Sequence, residues 1–219
     1  MERKDIVRIA VDGPSGAGKS TIAKKVAANL GIDYIDTGAM YRAIGYKLAK
    51  LGCDFDDRKR VKEILDETTI DFSGGNTLLD GEIVNDVIRT NEASMNASRC
   101  SQIREVREKL VSLQSAMGQR KSVIMDGRDI GNNVLKDAEY KFFLTASPEE
   151  RAQRRYKELK AKGDDITFDT VLEDIKKRDY ADTTRELNPL RKAEDAIEVD
   201  STGMNIDQVV DSLMSYIKH

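Results

Sequence analysis

The sequence predicts an α/β fold of three layers, in which a parallel sheet lies between helices. Short apolar runs alternate with helical patterns along most of the chain, as in proteins built from βα units. A glycine-rich turn follows the first apolar run, at the end of a strand where such sheets bind ligands. At 67–100 short strand-like segments interrupt the alternation and indicate a small antiparallel β insertion. We expect one domain over 1–219, with this insertion and a short helical lid at about 151–185.

The glycine-rich turn lies between an apolar run at 6–11 and a helical pattern. Its glycines let successive N–H groups point inward, and the positive end of the following helix adds to the same anion site. Lys19 is placed to reach the β- and γ-phosphates of a nucleotide, and the Ser20 hydroxyl to bind Mg2+. This match to GxxxxGK(S/T) predicts a P-loop NTPase fold. The nucleotide-binding stretch is Gly13, Pro14, Ser15, Gly16, Ala17, Gly18, Lys19, Ser20 and Thr21.

The composition is that of an ordinary globular enzyme of 219 residues. A formal net charge of −3 argues against a general nucleic-acid binder. Cys53 and Cys100 lack metal-ligand spacing, and no apolar stretch approaches the roughly 20 residues that span a bilayer. The N-terminus has no signal-peptide pattern, so we expect a cytoplasmic protein without a membrane partner. We assign no role to the single histidine, His219.

A short second strand at 34–36 leads into a helix that Asp36 or Thr37 can cap. In a doubly wound sheet, ligands lie beyond the carboxyl ends of the strands. Thr37 and Arg42 therefore start on the same rim as the phosphate loop. Position alone favours a simpler interpretation, in which Thr37 caps the helix and Arg42 is solvated.

The insertion consists of short strands joined by turns, and such insertions commonly cover a substrate. The predicted strands are at 68–72, 77–79 and 82–84. We expect a linker at 85–98, followed by a strong amphipathic helix at 102–118. Arg107 lies on the apolar side of that helix. It either snorkels at the edge of the stripe or is buried against an anionic or acceptor partner.

An apolar strand at 122–126 ends in an acidic residue, Asp126. A carboxylate at the end of a strand beside a phosphate loop commonly orients Mg2+ or its water, so Asp126 is the candidate metal residue. Arg128 offers a cation for a phosphate, and Asp129 an acceptor for a base or sugar. Alternatively, these two opposite charges pair with each other.

The helix that opens at Pro148 carries Arg151, Arg154 and Arg155 on one side. Neighbouring glutamates make a solvated ion-pair face one interpretation. Arginines just past a strand of a P-loop sheet can also close over ATP, and we favour this lid.

The next helix has an apolar inner face from Phe168 to Ile175, and the same spacing continues to Arg178, Asp182 and Arg185. If the helix persists, these charges face a ligand cavity, because a solvated face would place them opposite the apolar stripe. Fraying near the helix end is the alternative.

Together these segments resemble the bacterial cytidylate kinases, which transfer the γ-phosphoryl group of ATP to CMP or dCMP. The resemblance covers essentially the whole chain, and the β insertion before Ser98 is similar to that family's monophosphate-binding subdomain. Beyond the phosphate loop, the matching motifs are Asp36-Thr37-Gly38-Ala39-Met40-Tyr41-Arg42, Asp126-Gly127-Arg128-Asp129-Ile130-Gly131, and 178–185 followed by Asn188-Pro189-Leu190. Thr37 stands where serine is frequent, and Asn132-Asn133 where a Thr-Val pair is common.

The resemblance implies a role for each matching residue. The cytosine edge would be bound by Ser98, Arg107 and Asp129, the sugar by Thr37, Arg178 and Asp182, and the acceptor phosphate by Arg42, Arg128 and Arg185. Charge on the transferred group would be stabilised by Lys19, Arg128 and Arg185. The lid residues on ATP would be Arg151 and Arg154, and Mg2+ would be bound at Ser20 and Asp126.

Two other functions share part of this pattern. Another small-molecule P-loop kinase, acting on AMP, UMP or shikimate, would lack the run at 178–185 with its Asp182. A nucleotide switch or regulatory ATPase would lack a second anion pocket, and a GTP switch would carry an Asn-Lys-x-Asp run, which is absent here. We expect a monomer that transfers phosphoryl groups between ATP and CMP or dCMP, with no nucleic-acid partner.

Overall fold

The computed structural model of the protein describes residues 6–73 and 75–217. Position 74, in the predicted turn of the insertion, and His219 lie outside the described residues. The chain divides into two compact units, a larger one from Met1–Tyr34 and Lys121–His219 and a smaller one from Ile35–Arg120. The single domain over 1–219 stays a prediction.

The strands and helices follow the predicted order closely. The strands are β1 (Arg8–Asp12), β2 (Asp33–Asp36), β3 (Ile70–Ser73), β4 (Asn76–Leu79), β5 (Glu82–Ile83), β6 (Val123–Gly127), β7 (Tyr140–Thr145) and β8 (Ile197–Asp200). The helices are α1 (Lys19–Leu30), α2 (Thr37–Lys50), α3 (Arg58–Asp66), α4 (Asn91–Cys100), α5 (Arg104–Gly118), α6 (Pro148–Ala161), α7 (Phe168–Thr184) and α8 (Ile206–Tyr216). Among the described residues, no helix is both long and apolar enough to cross a membrane.

A five-stranded sheet organises the larger unit, with the strand order β2-β6-β1-β7-β8. The pairings of β1 with β6 and β7, and of β7 with β8, are parallel. Ile9, Ile124 and Leu144 from three neighbouring strands are fully buried in one apolar cluster, which also includes Val26 of α1 and Leu213 of α8. Parallel strands that are covered in this way place their carboxyl ends at one edge of the sheet, which confirms the predicted α/β fold.

The ends of α1 and α2 follow from local chemistry. Gly31 ends α1 with a left-handed φ of 64° and returns its N–H to the helix carbonyls. Asp36 caps α2, since its carboxylate accepts from the N–H of Ala39. Thr37 is therefore the first residue of α2 rather than its cap.

The smaller unit combines an antiparallel sheet, in the order β3-β4-β5, with α2, α3, α4 and α5. Its core joins Met40, Ile44 and Leu48 of α2 to Val106 and Leu110 of α5, all of them buried. The antiparallel pairing confirms the predicted β insertion.

The predicted linker at 85–98 is wrong, because this segment forms a 3-10 turn at Val87–Arg89 and the helix α4. Thr90 caps α4 by accepting from the N–H of Ala93. Packing explains why the helix forms in spite of its weak helix formers: at Gly45 of α2, a Cβ would lie 2.8 Å from the carbonyl carbon of Asn96. The close packing of α4 against α2 outweighs the low helix propensity of the α4 residues.

Candidate active site

The phosphate loop joins β1 to α1 and passes close to β7. At Gly13 φ is 146°, and a Cβ would lie 2.0 Å from the carbonyl oxygen of Leu144. A residue with a side chain therefore needs both a strained backbone and a displaced strand at this position. The first glycine of the loop is thus required by packing against the sheet as well as by the turn.

Lys19, the first residue of α1, is 5% exposed and donates from Nζ to the carbonyl oxygen of Pro14 over 2.8 Å. Burial and, after it, the positive charge of Arg128 lower the pKa of Lys19 to about 7. The ammonium group is therefore held inside the loop with little compensation, and an anionic phosphate would relieve this. A lysine in this environment is able to bind an anionic group such as a phosphate.

The second residue of α1 is linked to the end of β6. The Ser20 hydroxyl donates to Oδ2 of Asp126 over 2.9 Å, and the Tyr34 hydroxyl donates to Oδ1 over 2.7 Å. These contacts place a hydroxyl oxygen beside a buried carboxylate, and both are hard ligands of the kind that Mg2+ prefers.

Residues 6–73 and 75–217 contain no group of three or more His, Cys, Asp or Glu that could hold a metal by itself. Mg2+ is usually bound by one or two protein oxygens, with substrate phosphates and waters completing its shell. Ser20 and Asp126 are thus a suitable donor set for the metal of a nucleotide complex.

Two arginines and two aspartates form a network next to the sheet edge. Arg128 donates from Nε to Oδ2 of Asp182 over 2.7 Å, and Arg185 donates from Nη2 to Oδ1 of Asp129 over 3.0 Å. Arg185 Nη1 also lies 3.6 Å from Oδ1 of Asp182. Arg128 and Asp129 thus each have a partner on the 182–185 segment, in addition to any contact between the two.

Charge balance in this network favours the ionised forms. Burial by itself would raise the pKa of Asp182, but the charges of Arg128, Arg185 and Arg178 and the hydrogen bond from Arg128 lower it below its usual value. The pKa of Arg128 is raised, since Asp182 more than offsets its burial. The carboxylates hold the guanidinium groups of this network in place. A phosphate group can take the place of these carboxylates.

The helix α7 persists to Thr184, which confirms the condition on which the predicted charged stripe depends. Arg185 follows as its cap and donates from Nε to the carbonyl oxygen of Asn188 over 2.8 Å. Leu190 returns to the helix, where its N–H donates to the carbonyl oxygen of Asp182 over 2.8 Å. The segment 188–190 thereby fixes the end of the helix that carries Asp182 and is followed by Arg185.

The three arginines of α6 differ in their surroundings. Arg151 is buried against the phosphate loop and donates to the carbonyl oxygen of Ser15. Arg154 donates to the hydroxyl and carbonyl oxygens of Ser201, just past β8, over 3.1 and 2.8 Å. Arg155 pairs with Glu158 over 2.8 Å, as the ion-pair alternative predicts, and its side chain is about as exposed as that of Arg154, at 28% against 31%. The structure therefore places Arg151 on the phosphate loop, while Arg154 and Arg155 are both partly exposed.

Of the remaining predicted residues, Arg178 lies in α7 of the larger unit and the others belong to the smaller unit. Arg107 is 1% exposed, which confirms that it points inward, and its guanidinium lies 5.7 Å from the centre of the Tyr41 ring. Arg42 donates to Oδ2 of Asp36 over 2.8 Å. Thr37 is buried in the first turn of α2, and Ser98 lies in α4.

Sequence reasoning missed Asp12, the last residue of β1. Its two carboxylate oxygens accept from the N–H groups of Ile130 and Gly131, each over 2.8 Å. These belong to a π-helical turn, Ile130–Val134, that directly follows Arg128 and Asp129. Burial raises the pKa of Asp12 to about 6. The signal was present, because Asp12 is an acidic residue at the end of an apolar strand, as Asp126 is.

Comparisons with known proteins agree with this geometry. A family model described as cytidylate kinase matches residues 9–219. A cytidylate kinase from Clostridioides difficile (strain 630) is 54% identical over 209 residues, which are 95% of this chain and 97% of the relative. One from Caldicellulosiruptor bescii is 54% identical over 212 residues, or 95% and 94% of the two chains. A solved gluconokinase from Sinorhizobium meliloti 1021 is similar in fold alone, with a TM-score of 0.51, 14% identity and coverage of 97% and 92%.

Proposed function

The chain belongs to the cytidylate kinase family, and from this premise we propose how its residues carry out the reaction. The enzyme transfers the γ-phosphoryl group of ATP to CMP or dCMP, giving ADP and CDP or dCDP. The observation that carries the mechanism is the presence of two sets of cations in one unit. Lys19 lies in the phosphate loop, and Arg128 and Arg185 form the second set, near enough that Arg128 lowers the pKa of Lys19. A nucleotide switch needs only the first set.

On the donor side, the N–H groups of the phosphate loop and the ammonium of Lys19 bind the β- and γ-phosphates of ATP. Ser20 and Asp126 would hold Mg2+, which supplies charge neutralisation on those phosphates when bound. The hydrogen bond between Ser20 and Asp126 supports this assignment, since it keeps both oxygens at one place before the nucleotide arrives. The lid residues acting on ATP are Arg151 and Arg154.

On the acceptor side, Arg128 and Arg185 bind the α-phosphate of CMP and stabilise the charge that spreads over the transferred group. Their carboxylate partners, Asp182 and Asp129, hold both guanidinium groups in place in the absence of substrate. A phosphate acceptor needs no strong general base, so positioning and charge neutralisation supply the catalysis. No covalent intermediate is required.

Recognition of the nucleoside is assigned by residue. The cytosine edge is bound by Ser98, Arg107 and Asp129, the sugar by Thr37, Arg178 and Asp182, and Arg42 adds a contact to the acceptor phosphate. The burial of Arg107 supports its role, because a guanidinium group that is shielded from water makes stronger hydrogen bonds to a base edge than an exposed one does. We also propose a cytoplasmic monomer with no nucleic-acid partner.

The test follows the label from γ-labelled ATP. With CMP present, the label is expected in CDP, and Lys19→Ala is expected to abolish the transfer while keeping the cooperative unfolding transition of the wild type. Label released only as inorganic phosphate would contradict phosphoryl transfer to CMP, and an active Lys19→Ala variant would contradict the role of the lysine.

A further inference from the structure

The guanidinium group of Arg151 is almost fully engaged by protein atoms. Nε donates to the carbonyl oxygen of Ala146 over 2.9 Å, and Nη1 donates to that of Ser15 over 2.9 Å. Nη1 and Nη2 donate to the two carboxylate oxygens of Asp179 over 3.1 and 2.6 Å. A guanidinium has five N–H donors, and these bonds use four of them. The side chain is 4% exposed. Arg151 therefore has little capacity left for a phosphate.

The negative charge of Asp179 offsets the free-energy cost of burying the Arg151 guanidinium. Asp179 lies in α7, after the apolar stripe that ends at Ile175. Its two carboxylate oxygens accept from Arg151 in the two-bond geometry that fits a carboxylate to a guanidinium. No step of the proposed reaction assigns a direct role to Asp179, although its charge also favours the ionised form of Arg128. Its contact to Arg151 nevertheless connects α7, through α6, to the phosphate loop.

The contact to Ser15 has a direct consequence for the loop. In a trans peptide the C=O and N–H groups point in opposite directions, and the described residues contain no cis peptide. Because Arg151 holds the carbonyl oxygen of Ser15 on the side of α6, the N–H of Gly16 is turned to the opposite side. A phosphate-binding loop needs its N–H groups to point away from the supporting protein and towards the anion.

Packing at the next residue supports the same conclusion. Gly16 has a φ of 77°, and a Cβ there would lie 3.1 Å from Cβ of Arg151 and 3.6 Å from Cδ1 of Ile175. Both α6 and α7 therefore pack directly on the loop at this peptide. The hydrogen bond and the packing restrict the same two residues independently.

We infer that Asp179, acting through Arg151, orients the Ser15–Gly16 peptide of the phosphate loop and is a positioning residue for ATP. The inference rests on the proposed function, and it changes the way in which Arg151 acts on ATP, from direct contact to support of the loop. Asp179 is a positioning residue rather than a catalytic one, since its carboxylate hydrogen-bonds Arg151 and not a group of the nucleotide.

The test compares Asp179→Asn with the wild type and with Glu173→Gln. The asparagine keeps the shape of the side chain but removes its charge. Glu173 is a matched control in the same helix, because its pair with Lys177 over 2.7 Å is well exposed. Dissociation constants for Mg·ADP and for CMP are measured by calorimetry on the nucleotide-free proteins, well below their melting temperatures. KM for ATP and kcat are measured with CMP as acceptor.

We expect Asp179→Asn to weaken Mg·ADP binding and to raise KM for ATP by about tenfold, with CMP binding changed by less than about threefold. Glu173→Gln should match the wild type. A lower melting temperature with unchanged Mg·ADP binding would reduce Asp179 to a structural role and overturn the inference. Unchanged or tighter Mg·ADP binding is also the result expected if Arg151, released from Asp179, contacts the nucleotide directly. That outcome too would overturn the inference.

Arg151→Lys provides a second variant if Asp179→Asn does not fold. Lysine keeps the positive charge but has a single donor nitrogen, so it cannot reproduce the fork that binds Ser15 and both carboxylate oxygens of Asp179. We therefore expect a similar loss of Mg·ADP affinity, and wild-type affinity would overturn the inference. Failure of the wild type to phosphorylate CMP would contradict the proposed function instead, because the Mg·ADP comparison does not depend on the acceptor.

Discussion

Ser20 and Asp126 are joined by a hydrogen bond of 2.9 Å between the serine hydroxyl and the carboxylate oxygen Oδ2. The bond links the start of α1 to the end of β6 and brings together the two oxygen donors proposed for Mg2+. Tyr34 holds the other oxygen of the carboxylate over 2.7 Å, so both oxygens of Asp126 are oriented by hydroxyl groups.

Asp126→Asn should weaken metal binding and lower kcat by about 10- to 100-fold, since the amide has no charge and only one acceptor atom. Binding of Mn2+ in the presence of ADP, followed by electron paramagnetic resonance, gives a readout that does not depend on turnover. Tyr34→Phe serves as the control, because it retains the carboxylate and should have a smaller effect. An Asp126→Asn enzyme with the metal affinity of the wild type would remove Asp126 from the metal site.

Binding of ADP should be coupled to proton uptake by Lys19. Burial and, after it, the charge of Arg128 lower the pKa of Lys19 to about 7, so at a higher pH the nucleotide-free enzyme contains mainly the neutral amine. A phosphate favours the ammonium form and raises the pKa again, so protons are taken up between about pH 7 and the ordinary lysine pKa near 10. Calorimetry at about pH 8 in buffers of different ionisation enthalpy measures this uptake. Lys19→Met should abolish it, and equal binding enthalpies in all buffers for the wild type would contradict it.

The carboxylate of Asp12 should make stability depend on pH in an identifiable window. Its folded pKa of about 6 is higher than the ordinary value of 3.8, so between these values the folded protein holds the proton more tightly than the unfolded chain. This contribution to stability is present below the unfolded pKa and is lost as pH rises through about 6. The stability of the wild type relative to Asp12→Asn should therefore be greater at acid pH than at neutral pH. Urea unfolding of both proteins across the window measures this, and a constant difference would contradict it.

Arg107→Ala should reduce discrimination between bases, because it removes the buried guanidinium proposed to bind the cytosine edge. We expect the ratio of kcat/KM for CMP to that for UMP to fall by about tenfold or more. Arg104→Ala is a matched control in the same helix, since the Arg104 side chain is more than half exposed. An unchanged ratio for Arg107→Ala would limit Arg107 to a packing role.

Arg185→Ala should lose turnover far more than it loses stability. The side chain balances Asp129 over 3.0 Å and Asp182 over 3.6 Å, and it is proposed to bind the transferred charge, so we expect kcat to fall by about a thousandfold. Arg155→Ala is the control, since it removes a more exposed arginine that pairs with Glu158 over 2.8 Å, and it should retain activity. Near-normal turnover with Arg185→Ala would exclude that residue from catalysis.

Local patterns in the sequence were sufficient to predict the sheet, the phosphate loop and most helices. The periodicity that places Arg107 among apolar residues predicts its burial, and the spacing from Phe168 to Arg185 predicts a helix that continues to its charged end. The helix α4 was missed because residues such as Ser94 and Asn96 have low helix propensity, while the contact that stabilises it lies in α2, at Gly45.

The composition of the site could be predicted better than its pairing. The sequence shows that Arg128 and Asp182 are charged and near a ligand edge, but they are 54 positions apart, and their hydrogen bond depends on how α7 packs. The same holds for Arg151, whose partner Asp179 is 28 positions away. Adjacency along the chain suggested a pair between Arg128 and Asp129, whereas the partners shown here come from distant segments that tertiary structure brings together.

The most direct measurement of the central claim is the initial rate of ADP release with Mg·ATP and one acceptor at a time. The acceptors are CMP, dCMP, UMP, AMP, GMP and shikimate, with a control that contains no acceptor. The account predicts fast release with CMP and dCMP and little above the control with the others. Release that no acceptor raises above the control would contradict the second phosphate site at Arg128 and Arg185, and with it the assignment of this enzyme's acceptor.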